Sequence, residues 1–113
     1  MTDPSLLSGL IGELRRGSLT LAVLSRLTTP RYGYALHQCL EEKGIRIEAN
    51  TLYPLLRRLE AQGLVENTWD TSSPRPRKYY VLNDDGRALY DALTLEWIKL
   101  RETVERLLSE QDV

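Results

Sequence analysis

The feature that most constrains this chain lies at Gly63, where the apolar period changes. In "NTLYPLLRRLEAQG", residues 50–63, Leu52, Leu55, Leu56 and Leu59 recur at three- and four-residue spacing, the stripe of an amphipathic helix. Beyond the glycine, "LVENTW" and "KYYVL" follow a period of two and read as strands over residues 64–69 and 78–82. Between them "DTSSPRPR" supplies turn formers and two prolines that cannot pair in a ladder. Two strands around such a loop make a hairpin. A lone hairpin is unstable in water, so this one must pack on the helices around it.

The preceding residues supply those helices. Leu6, Leu7, Leu10, Ile11 and Leu14, then Leu19 to Leu27, predict a helix over 5–27, with Gly17-Ser18 as a bend or a second start. "TTP" ends it, because Pro30 turns Thr29 away from helical geometry. A second helix is expected over about 31–43, stopped by Gly44, then a short extended piece at "IRIE", then the third helix over about 49–62. After the hairpin, Asn83 offers an N-cap to a last helix over about 84–110, with Asp84 and Asp85 at its positive end. Helix, helix, helix, hairpin, long helix is the plan of a winged helix. The expected class is mainly α (α+β): a winged helix-turn-helix with a two-stranded wing and a long C-terminal dimerisation helix. It divides into a DNA-binding unit over 1–83 and the dimerisation helix over 84–113.

Composition excludes several other classes. With 113 residues the chain has one modest core. No apolar run approaches the roughly 20 residues of a membrane span, and the N-terminus lacks the pattern of a signal peptide. The single cysteine, Cys39, excludes an intramolecular disulfide and reads as a core residue. These features suit the cytoplasm. One histidine, one cysteine and no glycine-rich phosphate loop give catalysis, a metal site or a cofactor little to work with. His37 and Cys39 diverge on their helix, so the expectation is no enzyme, no metal and no cofactor.

Net charge is −1, but it is unevenly placed: residues 46–83 carry six basic groups against four acids, and residues 84–113 carry four against eight. Local fields decide how a chain meets a polyanion. On a helical wheel Asn50, Pro54, Arg57, Arg58 and Ala61 lie opposite the leucine stripe, with Thr51 and Tyr53 on its flanks. Arg can pair with guanine and Asn with adenine, and small apolar groups touch thymine methyls, so this inventory suits a major groove. A proline costs least near a helix N-terminus, where several N–H groups lack partners. The competing reading is a solvated face, with Arg57 and Arg58 paired to Glu60 or Glu66. Arg75, Arg77 and Lys78 at the hairpin tip favour DNA, since such cations neutralise phosphates. The rival from another class is a winged helix that binds protein.

Three stretches in order, "RGSLTLAVLSRLTTPRYGYALHQCLEEKG", "NTLYPLLRRLEAQGLV" and "PRPRKYYVLNDDGRAL", resemble the PadR family of bacterial transcriptional regulators over about residues 16–97. A single helix after the wing resembles its short subfamily. The resemblance implies a winged-helix homodimer on double-stranded DNA, mostly a repressor. It implies that Tyr32 and Tyr34 lie near the DNA backbone or brace the third helix. Asn50, Thr51, Tyr53, Pro54 and Arg57 would face the groove, Arg58 lies nearer the flank, and Arg77 and Lys78 would meet phosphates. The family often carries Ser and Pro where this chain has "IEAN".

On the last helix Gly86, Tyr90, Leu93, Trp97, Leu100, Val104 and Leu107 are spaced 4, 3, 4, 3, 4, 3, a heptad seam. A partner's helix would cover it beside Leu7, Leu10, Ile11 and Leu14. The alternative is that the seam packs only on the chain's own first helix. In some relatives an aromatic here borders a cavity for flat hydrophobic compounds. Trp97 would hold that place, although a tryptophan in a seam is more often core filling.

Overall fold

The computed structural model describes residues 3–110, so the outermost residues of both expected units, 1–2 and 111–113, lie outside it. Four helices and a small sheet follow the chain: α1 (Pro4–Ser25), β1 (Arg31–Tyr32), α2 (Gly33–Glu42), α3 (Ala49–Ala61), β2 (Val65–Asp70), β3 (Arg77–Leu82) and α4 (Asp84–Ser109). The three-stranded antiparallel sheet has the order β1-β3-β2.

Several helix ends have a local cause. Asp3 caps α1 by accepting from the Ser5 N–H at 2.9 Å, and Pro4 occupies the first turn, where no N–H is needed. Gly44 and Gly63 adopt φ of +92° and +76°, and each lets the chain turn back so that the next N–H reaches a helix carbonyl: Ile45 to Leu40 at 2.8 Å, Leu64 to Leu59 at 3.0 Å. The Asn83 side chain accepts from the Gly86 N–H at 2.8 Å and starts α4.

Two expectations need correction. Helix α1 runs unbroken through Gly17-Ser18, because a glycine within a long apolar-faced helix costs only about 1 kcal/mol. The "IRIE" connection pairs with no strand and ends extended at Glu48, and from it Ile47 drops into the core. Residues 31–32 do not begin α2. They pair with β3 in the register Arg31↔Tyr80 and Tyr32↔Tyr79, which makes the sheet three-stranded. The wing itself is the expected hairpin, with Val65↔Leu82 at its base and Asp70↔Arg77 at its tip.

The core gathers Val23, Leu24 and Leu27 of α1 and its end, Leu36 and Leu40 of α2, and the predicted stripe Leu52, Leu55, Leu56 and Leu59 of α3. Val65, Tyr80 and Leu82 join it from the sheet. Cys39 is only half-buried at the edge of this core, since Leu36 and Leu40 take the inward positions of α2. Helix α4 packs on α1 near its start and then leaves the body; 26 residues at the helical rise give about 39 Å, and the long axis of the molecule is 65 Å.

Candidate nucleic-acid interface

Helix α3 presents the predicted face to solvent. Asn50, Thr51, Pro54, Arg57 and Arg58 are all exposed, while Tyr53 is half-buried. Pro54 is the sixth residue of α3, beyond the free N–H groups of the first turn; Leu52 N–H already bonds Glu48. The ring therefore removes the bond that residue 54 would donate to the Asn50 carbonyl. Among the described residues neither Arg57 nor Arg58 forms an ion pair.

Glu60, offered by the sequence as their partner, is turned toward the wing. It accepts from the Asn67 amide of β2, and its other oxygen is buried 3.5 Å from the Lys78 ammonium of β3. One carboxylate thus holds the end of α3 to both wing strands. Lys78 is also stacked over the Tyr80 ring at 5.2 Å, so it is drawn inward rather than projected from the tip. Arg75 and Arg77 remain exposed.

A second cluster fixes the wing to the start of α2. The Tyr32 and Tyr79 rings stack with centroids 4.0 Å apart, and the Tyr79 hydroxyl donates to that of Tyr32. The Tyr32 hydroxyl donates to Asp70 at 2.8 Å, and Asp70 also accepts from the Ser72 hydroxyl and N–H. Arg77 lies over the Tyr32 ring at 5.0 Å. The Ser72 bonds above all, with help from Tyr32 and the Arg77 charge, hold the Asp70 carboxyl down at about 2. The bonds with Tyr79 and Asp70 push the Tyr32 phenol well above its ordinary range. Tyr32 is therefore a brace, whereas Tyr34 is 67% exposed and, among the described residues, bonded only to Gln38.

Between these clusters runs an open groove of about 790 Å³, lined by Tyr34 and Gln38 of α2, Tyr53 of α3, and Trp69, Arg75 and Lys78 of the wing, among others. Tyr53 forms part of it because its ring lies over Gly33; a Cβ there would come within 2.7 Å of that ring. The groove thus unites Tyr34, Tyr53, Arg75, Arg77 and Lys78, whereas Asn50, Thr51, Pro54, Arg57 and Arg58 lie outside its lining on the outer face of α3. Trp69, which carries no charge, also lines this groove, and the alternation along β2 is its only signal in the sequence.

A helix-turn-helix pair with a braced wing matches known proteins throughout. Residues 20–92 match the transcriptional regulator PadR-like family. The chain belongs to that family. It is 34% identical over 100 residues to the transcriptional regulator Rv3488 of Mycobacterium tuberculosis, covering 88% of this chain and 91% of that one. The crystal structure of a PadR family transcriptional regulator from Eggerthella lenta is 47% identical, with a TM-score of 0.88 over 95% of this chain and 96% of the other. A PadR-like regulator from Bacillus cereus is 29% identical, with a TM-score of 0.78 over 88% and 99% of the two chains. This PadR-like chain is therefore a transcriptional regulator with a DNA-binding winged helix, not an enzyme. Among the described residues no group of three or more His, Cys, Asp or Glu could hold a metal ion, and His37 instead lies 2.6 Å from the Ile47 carbonyl. Among the described residues no helix is long and apolar enough to cross a membrane.

The seam on α4 divides in two. Gly86 is buried against Leu64, and Tyr90 packs on the chain's own core. From Leu93 onward the stripe is open: Leu100 is 61% and Leu107 62% exposed, as are Leu7, Leu10, Ile11 and Leu14 on α1 to varying degree. Trp97 is 40% exposed with Arg101 over its ring at 5.3 Å, and the principal grooves of the single chain do not include it.

Proposed function

We propose that this PadR-like regulator reads a palindromic operator as a homodimer and represses transcription from it. The reading of bases is carried by the outer face of α3, whose Asn50, Thr51, Pro54, Arg57 and Arg58 are exposed while the opposite face fills the core. Such a face, whose side chains form no ion pair among the described residues, offers the bidentate and apolar groups that base edges require. Arg75 and Arg77 at the wing tip and Lys78 behind them meet phosphates, which set register and carry little sequence information.

The dimer is supported by the open stripe Leu93, Trp97, Leu100, Val104 and Leu107 beside Leu7, Leu10, Ile11 and Leu14. Burying one large apolar side chain contributes about 1.5–3 kcal/mol, far more than an exposed ion pair. Residues 84–113 then act as the dimerisation unit of a DNA-binding body formed by 1–83. Two copies present two α3 helices to half-sites about 34 Å apart. Release by a flat hydrophobic compound beside Trp97 completes the reading; its support is the family resemblance and the mid-stripe position of that ring.

Titration of random duplex DNA at several salt concentrations, together with sedimentation, tests this reading. Binding should weaken steeply with salt. Arg57→Ala should cost about 1–3 kcal/mol on a selected operator and much less on random duplex. A stable monomer at micromolar concentration refutes the dimer, and an equal loss on both DNAs reassigns Arg57 to the backbone.

A further inference from the structure

The register of β2 assigns Val65, Asn67 and Trp69 to one face, opposite Leu82, Tyr80 and Lys78 of β3. Along that face Val65 is buried in the core, Asn67 bonds Glu60 of α3, and Trp69 continues beyond the body, 59% exposed. An indole in that position adds little to the core, and an exposed side chain standing alone needs no explanation. This one does not stand alone, for it lines the groove. The groove it lines carries Arg75 and Arg77, with the Glu60-paired Lys78 behind them, and no acid among its lining residues, in a chain with 16 acidic residues. Across the groove stand the Tyr34 and Tyr53 rings and the Gln38 amide, and the exposed face of α3 lies alongside.

We infer that this groove takes the sugar–phosphate backbone of one DNA strand, with the Trp69 indole packed on a deoxyribose. The inference rests on the DNA-reading function proposed above and adds a contact of a different kind. A DNA backbone alternates an apolar sugar with an anionic phosphate. The groove sets the exposed Trp69 ring beside the wing cations, one group for each kind of unit. Phosphate oxygens only accept hydrogen bonds, and the groups facing them can donate: the tyrosine hydroxyls, the Gln38 amide, the guanidiniums and the indole N–H. An acidic peptide would also meet the cations, but its backbone N–H groups would find few acceptors and its position beside α3 would go unused.

Charge separates a direct contact from an indirect one. Trp69→Ala removes apolar surface and no charge. Its affinity should fall about tenfold on random and selected duplex alike, with the salt dependence unchanged. If Trp69 served only to hold the wing cations in place, the salt dependence would become shallower together with the affinity. Trp69→Phe keeps a ring, should retain most of the affinity, and covers the case in which the alanine variant folds poorly. Saturating duplex should change the tryptophan emission of the wild type, and that change should vanish in Trp69→Phe. Three results overturn the inference: alanine affinity within twofold of wild type, a shallower salt dependence in that variant, or wild-type emission indifferent to DNA. Absence of any duplex binding by the wild type is a separate outcome and refutes the DNA-reading function itself.

Discussion

Gly86→Ala tests how α4 is seated on the DNA-binding body. Gly86 is the third residue of α4, and a Cβ built there would stand 2.1 Å from the Leu64 carbonyl oxygen and 3.1 Å from a Leu82 methyl. Ordinary contact begins at 3.4 Å. The carbonyl is backbone, tied by the Asn83 N–H at 3.2 Å, and the Asn83 amide holds the neighbouring Gly63 carbonyl at 2.7 Å. Relief therefore requires the first turn of α4 to move away by about 1 Å, which belongs to the overpacking range of about 1–3 kcal/mol. Weakening the Asn83 bond adds about 0.5–1.5 kcal/mol. The better helix propensity of alanine returns at most about 1 kcal/mol. The expected net loss is about 0.5–4.5 kcal/mol, at roughly 3–6 °C in Tm for each kcal/mol in a chain of this size. Gly17→Ala is the control, since no atom lies within 4 Å of its built Cβ and only the propensity gain operates. Thermal and urea unfolding at one fixed protein concentration give both values. If Gly86→Ala gains stability as Gly17→Ala does, the close approach of α4 to Leu64 is wrong.

Pro54→Ala restores the bond to the Asn50 carbonyl and should raise stability by about 1–3 kcal/mol in urea titrations while weakening discrimination between operator and random duplex. Among the wing cations, Arg75→Ala should reduce the salt dependence of DNA binding most, by up to about one unit on a log–log plot, and Lys78→Ala least, because Glu60 already neutralises much of that charge. Asp70 titrates at about 2 when folded, below the ordinary carboxyl value near 4, so its contribution is complete above about pH 4 and is lost as pH falls toward 2. Asp70→Asn should accordingly be less stable than wild type at neutral pH, and the gap should close across that acid window in pH-dependent unfolding. Leu100→Asp should give monomer in sedimentation and lose tight operator binding, since linked half-sites supply affinity that one cannot.

The helices of the body were legible because each carries several turns of apolar periodicity, and the leucine stripe of α3 is the clearest case. Strand β1 was not, since two residues have no period and Tyr32 belongs to a strand only through its partner Tyr79, 47 places later. Lys78 was read as a free cation because counting charge along the chain does not bring Glu60 beside it; the fold does. Trp69 was available in the alternation Val65, Asn67, Trp69, but its exposure depends on where α3 stops covering the sheet. Gly86 fitted the heptad spacing and was read as part of the seam, although its lack of a side chain suits it to the close approach made by Leu64.

The two sides of α3 have consequences for how such a regulator changes over generations. Exposed positions away from packed features usually tolerate exchange within about 0.5 kcal/mol. Asn50, Thr51, Arg57 and Arg58 can therefore be replaced one at a time with each intermediate remaining folded, so under the proposed base-reading role a change of operator need not pass through an unfolded state. Tyr53 stands apart from them. Its ring closes over the Gly33 backbone as well as lining the groove, so a change there must satisfy two demands at once. Exchange on the outer residues of α3 is limited by what they contact outside the chain rather than by folding, whereas positions 33 and 53 should change together or not at all.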